Sequence, residues 1–289
     1  MKALRFQLIL LALSAFSTVS AQHLLDSIPF KYENGRPVID AKIEGKTYKF
    51  LFDTGDPLTR IFPEVPGWKI PKPTGKQSSH ESIKHTEIQI GTYAQQVDIY
   101  PFKETQTCAE ELTGVIGYNF MKDKIWMIDY RQKKIYRLDS PPPANKALYV
   151  IPIFIMPSNG LWKELLAEIK INGQPYVVSS KGRDRSPLLK FDTGFGSMSG
   201  TVGLLLNKRF LVEECNAPDI SSSIEICGKQ YQNLKPVTVE LTLNNSLTFS
   251  VVASGREEVG QALLGNAFFD HFKPVFDLKN NQILLLSNE

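Results

Sequence analysis

Two hexapeptides decide the reading: FLFDTG at 50–55 and LKFDTG at 189–194. Each ends an apolar run with an acid, then a small hydroxylated residue, then a glycine. A single Asp-Thr-Gly arises by chance in about one chain of this length in twenty. Two copies at equivalent points of a repeat are a different matter, and the repeat extends both ways from them. Downstream, VIGYNFMKDKIWMIDYRQKKIYRL (115–138) matches LLGNAFFDHFKPVFDLKNNQILLL (263–286) at a constant offset of 148. Gly117 falls on Gly265, Phe120 on Phe268, Asp129 on Asp277 and Ile135 on Ile283. Upstream, IEGKTY (43–48) matches INGQPY (171–176) at an offset of 128, while the two aspartates lie 139 apart. The 11 extra residues fall at about 178–188, a polar stretch that predicts a surface loop. Self-similarity of this kind marks a duplicated structural unit.

Between the copies stands Ser140-Pro141-Pro142-Pro143. Consecutive prolines join neither a helix nor a central strand, so 141–143 reads as a stiff linker. The organisation expected is a leader at 1–21, one lobe at 22–140 and a second at 144–289. Both lobes read as β. Apolar-rich runs flank short turns at Glu44-Gly45, Gly91, Arg131–Lys133 and Asn244-Asn245. Long helical periodicity is missing, with room for short helices after Gly117 and Gly265.

The leader, MKALRFQLILLALSAFSTVSA, has a basic start at Lys2 and Arg5, a short apolar core and small residues before Gln22. That is the pattern of a cleaved secretory signal, and the core falls short of the ~20 residues that span a bilayer. A soluble periplasmic or secreted chain is expected, with no membrane anchor after cleavage. The whole chain carries 33 basic and 30 acidic residues; without Lys2 and Arg5 the balance is 31 to 30. A near-neutral protein lacks the electrostatic footprint for nucleic acid. Three cysteines, Cys108, Cys215 and Cys227, leave open a Cys215–Cys227 bridge or three free thiols.

With these motifs in place, the sequence resembles the aspartic peptidases, the superfamily of pepsins and retropepsins. Their signature is Asp-Thr-Gly at a strand end, then two hydrophobic residues and a glycine, here Val115-Ile116-Gly117 and Leu263-Leu264-Gly265. The intervals are 64 residues (53 to 117) and 73 residues (192 to 265). Retropepsins carry one copy and dimerise; pepsins carry two in one chain. The resemblance implies an all-β fold, two homologous retropepsin-like barrel lobes arranged as a pepsin-like bilobal pseudo-dimer. It implies a monomeric endopeptidase acting on a peptide or protein substrate in extended conformation, with no metal and no organic cofactor. Asp53 and Asp192 would form the catalytic dyad, with Gly55 and Gly194 letting backbone N–H groups reach a carboxylate. By the same resemblance, Thr54 and Thr193 would clamp the two loops together, and the two hydrophobic-hydrophobic-glycine triplets would support them. Two carboxyls a few ångströms apart share one proton, so one member can deprotonate water while the other hydrogen-bonds the substrate carbonyl.

The pattern departs from the family after each motif. Ser, Thr or Ala is usual there; this chain has Asp56 and Phe195. Asp56 adds a third acid and Phe195 brings no side-chain donor, which motivates the alternative of an inactive peptidase fold that binds peptides or proteins. Lys190 precedes Asp192 by two, so on a strand the two share a face, where the lysine either offsets the acids or reaches solvent. Flaps over the cleft are expected within 74–93, which includes Tyr93, and roughly 213–231. His80-Glu81 with His85 has a spacing of five, not the four of a helical zinc motif. Asp129 and Asp277 read as turn residues.

Overall fold

The computed structural model describes residues 24–62, 84–102, 112–158, 162–180, 183–185, 188–196, 200–226 and 229–289. The leader, Cys108, Cys227, His80 and Ser197–Ser199 lie outside the described residues. Cys215 is a free thiol.

The first lobe runs β1 (Leu24–Pro29), β2 (Lys31–Glu33), β3 (Arg36–Ile43), β4 (Lys46–Phe52) and β5 (Thr59–Ile61). It continues through β6 (Lys84–Ile90), β7 (Tyr93–Pro101), β8 (Gly114–Ile116), the short helix α1 (Tyr118–Met121), β9 (Ile125–Asp129) and β10 (Lys134–Leu138). The second lobe opens with β11 (Ala147–Pro152), β12 (Phe154–Ser158), β13 (Trp162–Ile171), β14 (Gln174–Pro175), β15 (Val178–Ser180), β16 (Arg183–Arg185) and β17 (Leu188–Phe191). After β18 (Leu204–Asn207) comes helix α2 (Lys208–Cys215), then β19 (Ser221–Ile226) and β20 (Lys229–Leu234). The lobe closes with β21 (Val237–Leu243), β22 (Leu247–Arg256), β23 (Ala262–Leu264), helix α3 (Asn266–Phe269), β24 (Lys273–Asp277) and β25 (Gln282–Leu286). The chain is nearly all β and forms two closed six-stranded barrels.

The barrels share one sheet, ordered β1-β10-β9-β24-β25-β11. At its centre β9 meets β24 antiparallel, with Met127 opposite Val275. Those two residues are equivalents under the 148-residue offset, so the pseudo-twofold axis passes between them. Alternate residues serve different faces, as strand geometry requires. Trp126, Ile128, Phe276 and Ile283 enter the main core. Ile125, Leu138, Val275 and Leu284 form a separate layer on the other side. Asp129 accepts from Gln132 N–H at 2.8 Å and Asp277 from Asn280 N–H at 3.1 Å, which makes both Asx-turn residues.

Three features differ from the sequence expectation. The stretch at 178–188 is not a plain loop: β15 and β16 pair as a small extra hairpin. Helix α2 stands where the sequence predicted no helix; Asn207 caps it by accepting from Phe210 N–H at 3.4 Å. Tyr93, expected on a flap, sits in the barrel wall, edge-on to Phe120 and Trp126. Residues 74–83 of that flap candidate lie outside the described residues. In the second lobe, the range 213–231 ends α2 and enters the β19–β20 hairpin.

Candidate active site

Each Asp-Thr-Gly stands where a central strand leaves its barrel. Phe50 and Phe52 on β4, and Leu189 and Phe191 on β17, are fully buried in the barrel cores. That anchors both strands and turns the alternate positions, including Asp53 and Asp192, the other way. Here the hydrophobic-hydrophobic-glycine triplets have a direct structural part. β8 pairs parallel with β4, setting Leu51 against Val115 and Phe52 against Ile116. β23 pairs parallel with β17, setting Lys190 against Leu263 and Phe191 against Leu264. The ladders then end identically: Asp53 N–H donates to Ile116 O at 3.0 Å, and Asp192 N–H to Leu264 O at 2.9 Å. Gly117 and Gly265 come next, and both pass so close to the motif loops that a side chain would not fit. The residue after each glycine donates its N–H back to the loop, Tyr118 to Asp56 O at 2.8 Å and Asn266 to Phe195 O at 3.1 Å.

The two loops interlock through their threonines. Thr54 Oγ1 donates to Phe191 O at 3.0 Å and accepts from Thr193 N–H at 3.1 Å. Thr193 Oγ1 donates to Phe52 O at 2.7 Å and accepts from Thr54 N–H at 2.9 Å. All four bonds are buried and cross between lobes. Thr193→Val would leave the Phe52 carbonyl and the Thr54 N–H unpaired, at about 1–3 kcal/mol each. A loss of roughly 2–5 kcal/mol in unfolding free energy is expected from urea denaturation of that variant.

The clamp brings Asp53 and Asp192 together. Each carboxyl lies on the glycine of the opposite loop: Asp192 over Gly55, Asp53 over Gly194. The two carboxyls stand close enough for the charge of Asp192 to act directly on Asp53. Backbone donors hold one oxygen of each carboxyl. Asp53 Oδ1 accepts from Gly55 N–H at 2.8 Å and Asp56 N–H at 3.1 Å. Asp192 Oδ1 accepts from Phe195 N–H at 2.8 Å. Burial pushes both carboxyls above the usual range, and Asp192 pushes Asp53 further. Such a pair keeps one proton where an ordinary carboxyl has lost it.

The two departures from the family pattern resolve in this geometry. Asp56 and Phe195 both supply a backbone N–H to the neighbouring aspartate. The Asp56 carboxylate turns away, accepting from Leu58 N–H at 3.0 Å and from Arg60 Nε at 3.1 Å. Burial raises it to about 6, with Arg60 pulling down and Asp53 pushing up. The Phe195 ring covers Gly265. Lys190 does not reach solvent freely: its Nζ pairs with Glu164 at 2.8 Å, and both side chains are largely buried.

One contributor escaped the sequence reading. Asn266 is fully buried, donating to Thr193 O at 2.6 Å and Phe195 O at 3.2 Å. It accepts at 2.6 Å from the hydroxyl of Tyr130, in the other lobe. Its signal was in the sequence, as the one amide directly after either signature glycine.

His85 pairs with Asp98 at 2.9 Å on exposed strand positions. Among the described residues, no cluster of three or more His, Cys, Asp or Glu could hold a metal.

No family model and no curated protein sequence matches the chain. Among solved structures, it is similar to an aspartic proteinase from Irpex lacteus, with a TM-score of 0.51 at 12% identity. The match covers 90% of this chain and 96% of that one. At that identity the likeness shows the fold: the chain has the pepsin-like bilobal architecture.

Proposed function

We propose that this chain is an aspartic endopeptidase, exported through its N-terminal leader to the periplasm or beyond. Asp53 and Asp192 act as one dyad. The ionised member takes a proton from water, and the protonated member hydrogen-bonds the substrate carbonyl as charge develops on it. The carrying observation is the crossed placement of two part-buried carboxyls, each on the other loop's glycine and each with a backbone donor on one oxygen. The substrate is a peptide or protein bound in extended form, which strand-like backbone pairing along a cleft would hold. The rival reading, an inactive peptide-binding module, rests on Asp56 and Phe195. Both carboxylates keep their backbone donors at those positions, which supports the peptidase.

The test is cleavage of a mixed peptide library over a pH series. A bell-shaped profile is expected, rising as the dyad loses its first proton and falling as it loses its second. Because burial raises both groups, the falling limb should lie above the ordinary carboxylate range. A peptide mimic with a central hydroxyl should bind tightly and lose affinity when the hydroxyl is removed. Peptide binding without turnover at any pH would favour the binding module.

A further inference from the structure

The dyad is symmetric in backbone but not in charge. The residue two before Asp53 is Leu51, packed with Val38, Leu112 and Val115 in a small apolar cluster. The residue two before Asp192 is Lys190, tied at 2.8 Å to Glu164 on the adjoining strand β13. Two strand residues span ~7 Å of backbone on one face, and the largely buried Lys190 acts by its charge on both aspartates. Glu164 holds that ammonium, so Lys190 acts through space instead of closing on Asp192 itself.

We infer that the Lys190–Glu164 pair polarises the dyad, seating the anion on Asp192 and the shared proton on Asp53. In this role Lys190 is a positioning residue, and Glu164 positions it in turn. The inference rests on the peptidase reading for its consequence in turnover, but not for the location of the proton.

The surrounding charges are consistent with this bias. Asp56 and Arg60 neutralise one another on the Asp53 side at 3.1 Å. Arg36 packs against Gly196, two residues beyond Gly194. Asn266, on α3, is neutral. Lys190 opposes the upward push of burial at both aspartates, and for Asp192 it is the strongest opposing influence. Burial alone would lower Lys190, but Glu164, together with Asp192 and Asp53, more than compensates and keeps it charged.

The experiment is an infrared carboxyl titration of 13C-aspartate-labelled protein, beside the pH profile of kcat/KM. In Asp53→Asn the remaining carboxyl, Asp192, should titrate at lower pH than Asp53 does in Asp192→Asn. Adding Lys190→Met to each should raise Asp192 by about one pH unit, the size expected for removing a nearby, partly offset charge, and shrink the difference. In the otherwise native chain, Lys190→Met should move both limbs of the profile upward, and Lys190→Arg should restore them. Because Lys190→Met strands Glu164, the double variant Lys190→Met/Glu164→Gln is measured too and should shift in the same direction. Equal titration of the two aspartates, or no shift in Lys190→Met and in Lys190→Met/Glu164→Gln, overturns the inference. If the carboxyl titrations behave as described while no peptide is cleaved, the peptidase reading fails and the inference stands. If peptides are cleaved and no variant shifts, the inference fails alone.

Discussion

Asp53→Asn and Asp192→Asn should each lower kcat/KM for peptide hydrolysis by about 10³-fold or more, since each removes one side of the proton transfer. Either variant alone should cost nearly as much as both together, because the two groups act as a unit. Stability should move the other way. A carboxyl raised by burial binds a proton in the folded protein where the unfolded chain has already lost it. Folding stability therefore falls as pH climbs from the ordinary carboxylate range to the raised folded value. The loss persists above that value, and an amide removes it. At pH 7 both variants should melt at or above the native temperature, and at pH 4 the gap should narrow. Calorimetry at the two pH values, beside the rate assay, separates lost chemistry from lost fold. Full activity in either variant would place the chemistry elsewhere.

Gly194→Ala is expected to be the most damaging small substitution. A Cβ built there falls inside the Asp53 carboxylate. Asp53 cannot retreat, because Gly55 and Asp56 N–H groups hold its Oδ1 and Asp192 stands beside it. The loop must move instead, and with it the four threonine bonds. Overpacking of this kind costs about 1–3 kcal/mol, and a site displaced by an ångström loses on the order of 10²-fold in rate. Gly55→Ala should behave alike, since its Cβ would fall inside the Asp192 carboxylate. Gly173→Ala is the matched control. It carries a positive φ of 79° but has nothing within 4 Å, so strain of about 1 kcal/mol and unchanged kinetics are expected. A Gly194→Ala protein with native rates would show that the carboxyls are not held as closely as drawn here.

Much of the site was legible because its determinants are local or repeated. Duplication makes each motif visible twice, and an acid between an apolar run and a glycine reads as a strand end without further information. The turn at Asn244-Asn245 was legible in the same way: both residues take positive φ, as a tight hairpin demands. The outer strands of the shared sheet were not. β1 and β11 occupy equivalent places, with Ile28 opposite Ile135 and Ile151 opposite Ile283. Their sequences, LLDSIP and ALYVIP, share a leucine and a closing Ile-Pro, a match too short to stand out by itself. Each also breaks register at the same point, between Leu24 and Asp26 and between Ala147 and Tyr149. Only strand pairing exposes that symmetry.

The sequence by itself determined a duplicated β unit, the two Asp-Thr-Gly motifs and the triplets that follow them. Alternation, turn chemistry and repetition are written along the chain, residue by residue. The tertiary structure alone decided what each charged neighbour of the dyad does. Asp56 becomes harmless because Arg60 meets it, and Lys190 becomes a fixed charge because β13 sets Glu164 beside it. Both outcomes depend on partners, burial and dielectric, and none of these exists until the strands have chosen their neighbours and closed over the pair.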